Sequence, residues 1–153
     1  MSEKMRLLLV DDELKFLNAL CQRLELRGFD VTRAASGEEA LRTARNADFA
    51  LVLLDLKMPG MDGREVLQIL KQEHKQLEVI ILTGHGSLDA EVECKALGAF
   101  GYISKPYDFE ELLKIIKDAY MVRLQTKESL LSAENGNRTA EKARSRLPRH
   151  PSS

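Results

Sequence analysis

The chain has 153 residues, of which 44% are apolar and 31% are charged, and its net charge is −1. This composition favours one soluble domain of common size and excludes a membrane-spanning protein, because no apolar run approaches the roughly 20 residues of a transmembrane helix. The N-terminal residues carry no secretory signal pattern, so we expect a cytoplasmic protein.

Five short apolar runs predict strands, and they lie at residues 7–10, 30–34, 51–54, 79–82 and 102–104. The first, third and fourth runs are almost wholly apolar and do not alternate, which is typical of strands covered on both faces. The second and fifth runs are weaker, as edge strands usually are.

Segments with helical periodicity separate these runs. The first has the apolar stripe Leu14, Leu17, Leu20, Cys21 and Leu24. Three later helices begin with a capping residue that is followed three positions on by an acid. These pairs are Ser36 with Glu39, Asp62 with Glu65, and Asp108 with Glu111.

The order is therefore a strand and a helix repeated five times. Strands that are joined through helices run parallel, and right-handed connections place helices on both faces of the sheet. We predict a doubly wound α/β fold with a five-stranded parallel sheet in the flavodoxin-like order 2-1-3-4-5.

We assign residues 1–122 to this domain, 123–133 to an extension of the last helix, and 134–153 to a basic tail. The tail has five basic and two acidic side chains, a net of +3, and no folding signal, so we expect it to be disordered. Leu124, Leu130 and Leu131 are read as a dimer seam, a partner contact or the start of a linker. Cys21 and Cys94 lack the spacing of a zinc site or a disulfide framework.

Polar residues stand where the predicted strands end. Asp11 and Asp12 follow the first strand, Asp55 the third, Thr83 the fourth and Lys105 the fifth. The carboxyl ends of parallel strands form one ligand-binding edge, so these side chains should meet there. Three close carboxylates repel one another, and a hard divalent cation such as Mg²⁺ would offset that charge. The sequence thus predicts a cation site for a phosphoryl group, with Asp55 as a carboxylate nucleophile.

Four stretches carry a family resemblance: LLLVDDE, LVLLDLKMPGMDG, ILTGHGS and GYISKPYD. Together they resemble the receiver domain of two-component response regulators, the CheY-like domain, over about residues 5–122. The sequence around Thr83 is most similar to that of receivers that are attached to sigma-54-dependent activators.

The resemblance implies a role for each matching acid. Asp55 would be the phosphoacceptor and a ligand of Mg²⁺, for which Mn²⁺ can substitute. Asp12 would bind the metal directly, and Asp11 would help, partly through water. The backbone carbonyl of Lys57 would complete the protein ligands.

The resemblance also implies a switch. Thr83 and Tyr102 would form the switch pair, in which the hydroxyl moves toward the phosphoryl group and the ring turns inward. Lys105 would grip the phosphoryl group, and Pro106 would be the cis-proline of the family. Three residues would shape the loop beside the acceptor: Pro59, Gly60 and Gly63.

Simpler interpretations stand beside these. The Asp11–Asp12 pair is also typical of a helix cap, and Lys105 could be an ordinary surface lysine. Thr83 could simply end a strand, and Tyr102 could be an aromatic side chain that only packs against its neighbours. For His85 a metal or phosphorelay role is an alternative; we favour the hypothesis that it acts with Lys57, tuning the phosphoryl lifetime by screening water.

We therefore expect a signalling switch that accepts a phosphoryl group from a sensor histidine kinase or a histidine phosphotransfer protein and then loses it by autodephosphorylation. No conventional enzymatic turnover is expected. A separate target protein would contact the face formed by helix 4, strand 5 and helix 5, and a homodimer would use that face or the extended last helix. Direct contact with nucleic acid or a membrane is not expected.

Two rival classes fit less well. An aspartate-nucleophile phosphatase carries its two acids as DxD on one strand, whereas here they are adjacent on the first strand. A flavodoxin-type electron carrier needs a hydroxyl-rich phosphate loop after the first strand, where this chain has Asp-Asp-Glu-Leu-Lys.

Overall fold

The computed structural model describes residues 4–146. Strands and helices alternate along them, in the order β1 Arg6–Val10, α1 Leu14–Leu26, β2 Asp30–Ala34, α2 Gly37–Asn46, β3 Leu51–Leu54, α3 Gly63–Glu73, β4 Glu78–Thr83, α4 Leu88–Ala96, β5 Gly101–Ser104 and α5 Phe109–Arg146. Each predicted strand is present, within two residues of its expected ends.

The five strands form one parallel sheet in the order β2-β1-β3-β4-β5. The chain leaves the interior strand β1 for the edge strand β2, returns past β1 to the central strand β3, and continues outward to β5. This reversal places the helices on both faces of the sheet. The predicted doubly wound fold and its strand order are confirmed.

Two apolar layers sandwich the sheet. Leu7 and Leu9 of β1 face the layer that contains α1 and α5. Leu8 and Val10 face the opposite layer, with α2, α3 and α4. All four side chains are at most 2% exposed. Because both faces are covered from Leu7 to Val10, this part of the strand is apolar at every position, which explains the continuous run in the sequence.

Hydrogen bonds at the helix starts refine the predicted caps. Ser36 accepts a bond from the backbone N–H of Glu39, at 3.2 Å, as the sequence pattern predicts. Asp62 and Asp108 accept from the N–H two residues on, not three. Ser87 was not among the predicted caps, but its hydroxyl accepts a hydrogen bond from the N–H of Ala90 at 3.1 Å and caps α4.

Two expectations about the helices differ from the structure. Leu14, predicted to lie in the apolar stripe of α1, is the first residue of the helix and is 60% exposed, so the buried stripe begins at Leu17. Helix α5 runs to Arg146, whereas we expected disorder from residue 134. Alanine, glutamate, lysine and arginine are frequent between residues 139 and 146, and they are strong helix formers. Residues 147–153 of the predicted tail lie outside the described residues.

The chain divides into two units, Met1–Arg123 and Leu124–Ser153. The first contains the sheet and its layers, and the second is helical over residues 124–146. Cys21 and Cys94 are buried free thiols in the first unit. Within residues 4–146, no helix has both the length and the apolar content needed to cross a membrane.

Candidate functional site

The backbone brings the predicted site residues to one edge of the sheet. Parallel pairing continues one residue beyond the strands, because the N–H of Asp55 donates to the Val10 carbonyl at 3.0 Å. Likewise the N–H of Lys105 donates to the Thr83 carbonyl at 2.9 Å. The polar residues that follow β1, β3, β4 and β5 are therefore held side by side.

Three carboxylates meet at this edge. Asp11, Asp12 and Asp55 each offer an oxygen, and these oxygens all lie within 4.8 Å of one another. Asp11 is 1% and Asp55 is 2% exposed. The Oδ1 atom of Asp55 is buried and has no hydrogen-bond partner among the described residues. An oxygen-only donor set with excess negative charge and an unsatisfied acceptor suits a hard divalent cation such as Mg²⁺.

The electrostatics of Asp55 reflect this crowding. Burial raises the pKa of its carboxyl above the ordinary value, and the charge of Asp11 adds to the increase. The Thr83 hydroxyl and the Lys105 ammonium act in the opposite direction. The charged carboxylate is thus held in an unfavourable environment that added positive charge would relieve.

Lys105 supplies one positive charge to the cluster. Its Nζ atom lies 2.6 Å from Oδ2 of Asp11, and the two side chains are 14% and 2% exposed. The peptide bond to Pro106 is cis, as the resemblance implies. A helix cap alone does not describe Asp11, because one of its oxygens binds this lysine while the other accepts from the N–H of Glu13 at 2.9 Å.

An aromatic ring that the sequence analysis did not single out covers the same lysine. Nζ of Lys105 lies 3.8 Å from the ring centroid of Phe16. The Phe16 ring in turn meets Tyr107 edge to face, with centroids 6.0 Å apart and an interplanar angle of 85°. The sequence does contain an indication of this contact: Phe16 is an aromatic residue in the first turn of α1, shortly after the paired acids, and it does not belong to the apolar stripe of that helix.

Thr83 is fully buried at the end of β4, and its hydroxyl accepts a hydrogen bond from the N–H of His85 at 3.1 Å. His85 and Lys57 are exposed on the loops after β4 and β3. The structure places neither side chain in the carboxylate cluster, and their effect on a phosphoryl lifetime stays a prediction.

Tyr102 lies on β5, and its hydroxyl is next to Gly86 on the loop after β4. Its ring packs against the apolar layer of α2, α3 and α4, and its hydroxyl is buried. Burial raises the pKa of this hydroxyl. A Cβ atom on Gly86 would lie 2.4 Å from the hydroxyl oxygen. Gly86, which the sequence analysis did not single out, therefore leaves the space that Tyr102 occupies.

The loop after β3 depends on two of its predicted glycines. Gly60 has a φ of +84°, a conformation that side chains disfavour. Gly63 begins α3 directly beneath the acceptor, where a Cβ atom would lie 2.4 Å from the Asp55 carbonyl oxygen. Its N–H donates to the Leu56 carbonyl at 2.8 Å. Pro59 is exposed on the same loop.

Known proteins resemble this chain in sequence and in fold. The response regulator receiver domain family matches residues 7–117. Over 117 residues the chain is 40% identical to the uncharacterized transcriptional regulatory protein YkoG and 38% identical to sporulation initiation phosphotransferase F, both from Bacillus subtilis. Each alignment covers 76% of this chain; it covers 51% of YkoG and 93% of the phosphotransferase. The chain thus spans about half the length of YkoG.

The DNA-binding transcriptional regulator NtrC of Klebsiella pneumoniae is 38% identical over 72% of this chain, which corresponds to 24% of NtrC. Among solved structures, a CheY-like receiver domain from Methanospirillum hungatei superposes with a TM-score of 0.78 at 34% identity, covering 81% of this chain and 99% of that one. TrrA from Thermotoga maritima, solved with Mg²⁺ and BeF, has a TM-score of 0.69 at 32% identity. The match covers 75% of this chain and 98% of the TrrA chain.

Proposed function

Because this chain belongs to the response regulator receiver domain family, we propose that it is a phosphoacceptor switch in two-component or phosphorelay signalling. Asp55 would accept a phosphoryl group from a phosphohistidine of a sensor kinase or of a histidine phosphotransfer protein. One observation carries the proposal: a buried carboxylate with an unsatisfied oxygen lies beside two more carboxylates and a lysine at the sheet edge.

The acidic cluster would hold Mg²⁺ through Asp11, Asp12, Asp55 and the backbone carbonyl of Lys57. When bound, this ion would neutralise charge on the transferring group and orient it. The all-oxygen donor set supports this assignment, as does the magnesium complex of TrrA.

The transfer itself is an exchange of bonds at phosphorus. A carboxylate oxygen of Asp55 forms the new P–O bond while the P–N bond to the donor imidazole breaks, and its electron pair returns to the imidazole nitrogen. Lys105 uses one N–H donor on Asp11, and its remaining donors are free to bind a phosphoryl oxygen. The Thr83 hydroxyl would bind another.

Phosphorylation adds about −1.5 to −2 charges, enough to bias a two-state equilibrium in the adjoining elements. We propose that Thr83 and Tyr102 transmit the change to the face of α4, β5 and α5. Leu88 and Val92 lie one helical turn apart on α4 and are 76% and 62% exposed, which supports a protein target at this face. A second copy of the chain is the alternative occupant.

We further propose that the chain acts without conventional turnover. It would catalyse its own phosphorylation and then lose the group to water, and the exposed residues His85 and Lys57, on the loops after β4 and β3, would tune the phosphoryl lifetime by screening water. Its donor would be a cytoplasmic kinase domain, so we place the chain in the cytoplasm.

The test is intact-mass spectrometry after incubation with phosphoramidate, a small P–N donor, with and without Mg²⁺. We expect one phosphoryl adduct on the wild type, none on Asp55→Asn, and none without the metal. Asp48→Asn is the matched control, because Asp48 is an exposed acid far from the cluster. An adduct that persists in Asp55→Asn, or none on folded wild type, would overturn the proposal.

A further inference from the structure

The ammonium group of Lys105 lies between two unlike partners. On one side is the carboxylate of Asp11, at 2.6 Å from Nζ. On the other is the face of the Phe16 ring, with its centroid 3.8 Å away. A cation at this distance is attracted to the negative face of the ring, and the attraction grows as water is excluded. Here the lysine side chain is only 14% exposed.

The ring is itself held in place from two directions. Its backbone belongs to the first turn of α1, which starts beside the carboxylates at Leu14. The edge-to-face contact with Tyr107, on the loop that follows Lys105, braces it from the side of β5. Phe16 therefore connects the acidic end of β1 to the loop that carries the lysine.

The lysine needs a second contact such as the Phe16 ring, because its flexible four-carbon side chain has several rotamers. One ion pair fixes only one of its three N–H donors. The side of the lysine that faces Gly84 is not closely packed. A Cβ atom on Gly84 would be 3.8 Å from Cδ and 3.9 Å from Cβ of Lys105, so the actual glycine leaves room there.

We propose that Phe16 is a positioning residue for Lys105: the ring face holds the ammonium against Asp11 and directs its free donors toward the phosphoryl site. This inference rests on the proposed function, since phosphoryl transfer to Asp55 is the step that uses Lys105. Phe16 would not touch the reacting atoms.

An electronic series separates this role from simple packing. Successive fluorination of Phe16 weakens the negative face of the ring with little change in its size. We expect the rate of phosphorylation by phosphoramidate and Mg²⁺ to fall stepwise, by roughly threefold to tenfold in total at pentafluorophenylalanine. The phosphorylation rate of Phe16→Leu should fall as far, and the rate of Phe16→Tyr should stay near that of the wild type. In a Lys105→Met background the dependence on fluorine should vanish.

Phe100 provides the matched control. It packs against the same apolar layer as Phe16, and within residues 4–146 no cation lies over its ring. The same fluorinated residues at position 100 should leave the rate unchanged. Equal losses at both positions, or a flat rate across the series at position 16, would overturn the inference.

A second readout does not depend on phosphorylation. The ring current of Phe16 should shift the NMR signals of the Lys105 side chain upfield, and Phe16→Leu should return them to ordinary positions. If the wild type accepts no phosphoryl group, the proposed function fails while the shift still decides whether the ring holds the lysine. Absence of the shift in folded wild type would refute the inference in either case.

Discussion

The hydroxyl of Tyr102 occupies the space in which a side chain on residue 86 would begin. A Cβ atom at Gly86 would lie 2.4 Å from the hydroxyl oxygen and 3.1 Å from Cε1. The backbone of Gly86 does not have a positive φ, so the conformation itself admits other residues. Glycine is needed here for room.

We therefore expect Gly86→Ala to displace the Tyr102 ring from its inward position. The lost packing should lower the free energy of unfolding by about 1–3 kcal/mol. Urea unfolding of Gly86→Ala, Tyr102→Ala and the double variant measures the coupling between the sites. The double variant should be no less stable than Tyr102→Ala alone, because the ring that alanine displaces is already absent. Strict additivity would contradict this account.

Tyr102→Phe tests the buried hydroxyl, which makes no hydrogen bond of normal geometry in the part of the chain that is described, although the nearby Ser87 backbone partly opposes the pKa increase that burial causes. Removing an unsatisfied polar group should leave stability unchanged or raise it by about 1 kcal/mol. A clear loss in the urea midpoint would mean that the hydroxyl has a partner after all. The same variant should still accept a phosphoryl group from phosphoramidate if Tyr102 acts only in the output of the switch.

Gly63→Ala should be among the most damaging small substitutions in the chain. The new Cβ atom would lie 2.4 Å from the Asp55 carbonyl oxygen and 2.6 Å from Cα of Leu56, and backbone atoms cannot yield cheaply. We expect a loss of about 1–3 kcal/mol or more in unfolding free energy. Gly84→Ala is the control, since its nearest contact would be 3.8 Å, and it should be nearly neutral.

Asp55→Asn should make the metal-free protein more stable at neutral pH. The folded state raises the pKa of Asp55, so the wild type loses stability as pH increases from the unfolded pKa through the folded one, and asparagine removes that loss. Mg²⁺ should reverse the order. At one hundred times its dissociation constant, a ligand adds about 2.7 kcal/mol to the wild type. Thermal unfolding of both proteins with and without Mg²⁺ measures the crossover, and equal responses to the metal would argue against Asp55 as a ligand.

Cys21 should remain a thiol at neutral pH and react slowly with iodoacetamide. Burial, together with a hydrogen bond to Glu25, raises its pKa from 9.0 to about 11. Because the folded pKa is the higher one, stability is complete below pH 9 and decreases as pH rises toward 11. Glu25→Gln should reduce this alkaline loss, as followed by urea unfolding from pH 8 to about 11. An unchanged pH profile would show that burial alone sets the shift.

The amino-acid sequence was enough to predict the fold and the members of the acidic cluster. Continuous apolar runs such as the one in β1 occur because that strand is covered on both faces. The alternation of strand and helix leaves few topologies, and parallel strand ends converge on one edge. Asp11, Asp55 and Lys105 were predictable together for that reason, since each directly follows a recognisable strand.

The contacts between side chains that are distant in the chain could be seen only in the folded structure. Phe16 and Lys105 are 89 positions apart, and nothing in the periodicity of α1 shows that the ring faces the lysine. Gly86 and Tyr102 meet because the loop after β4 lies against β5, so closely that one added Cβ atom would overlap the tyrosine hydroxyl. Strand and helix patterns depend on local burial and spacing. Contacts between distant side chains depend instead on the detailed close packing of the layers, which a sequence pattern does not show.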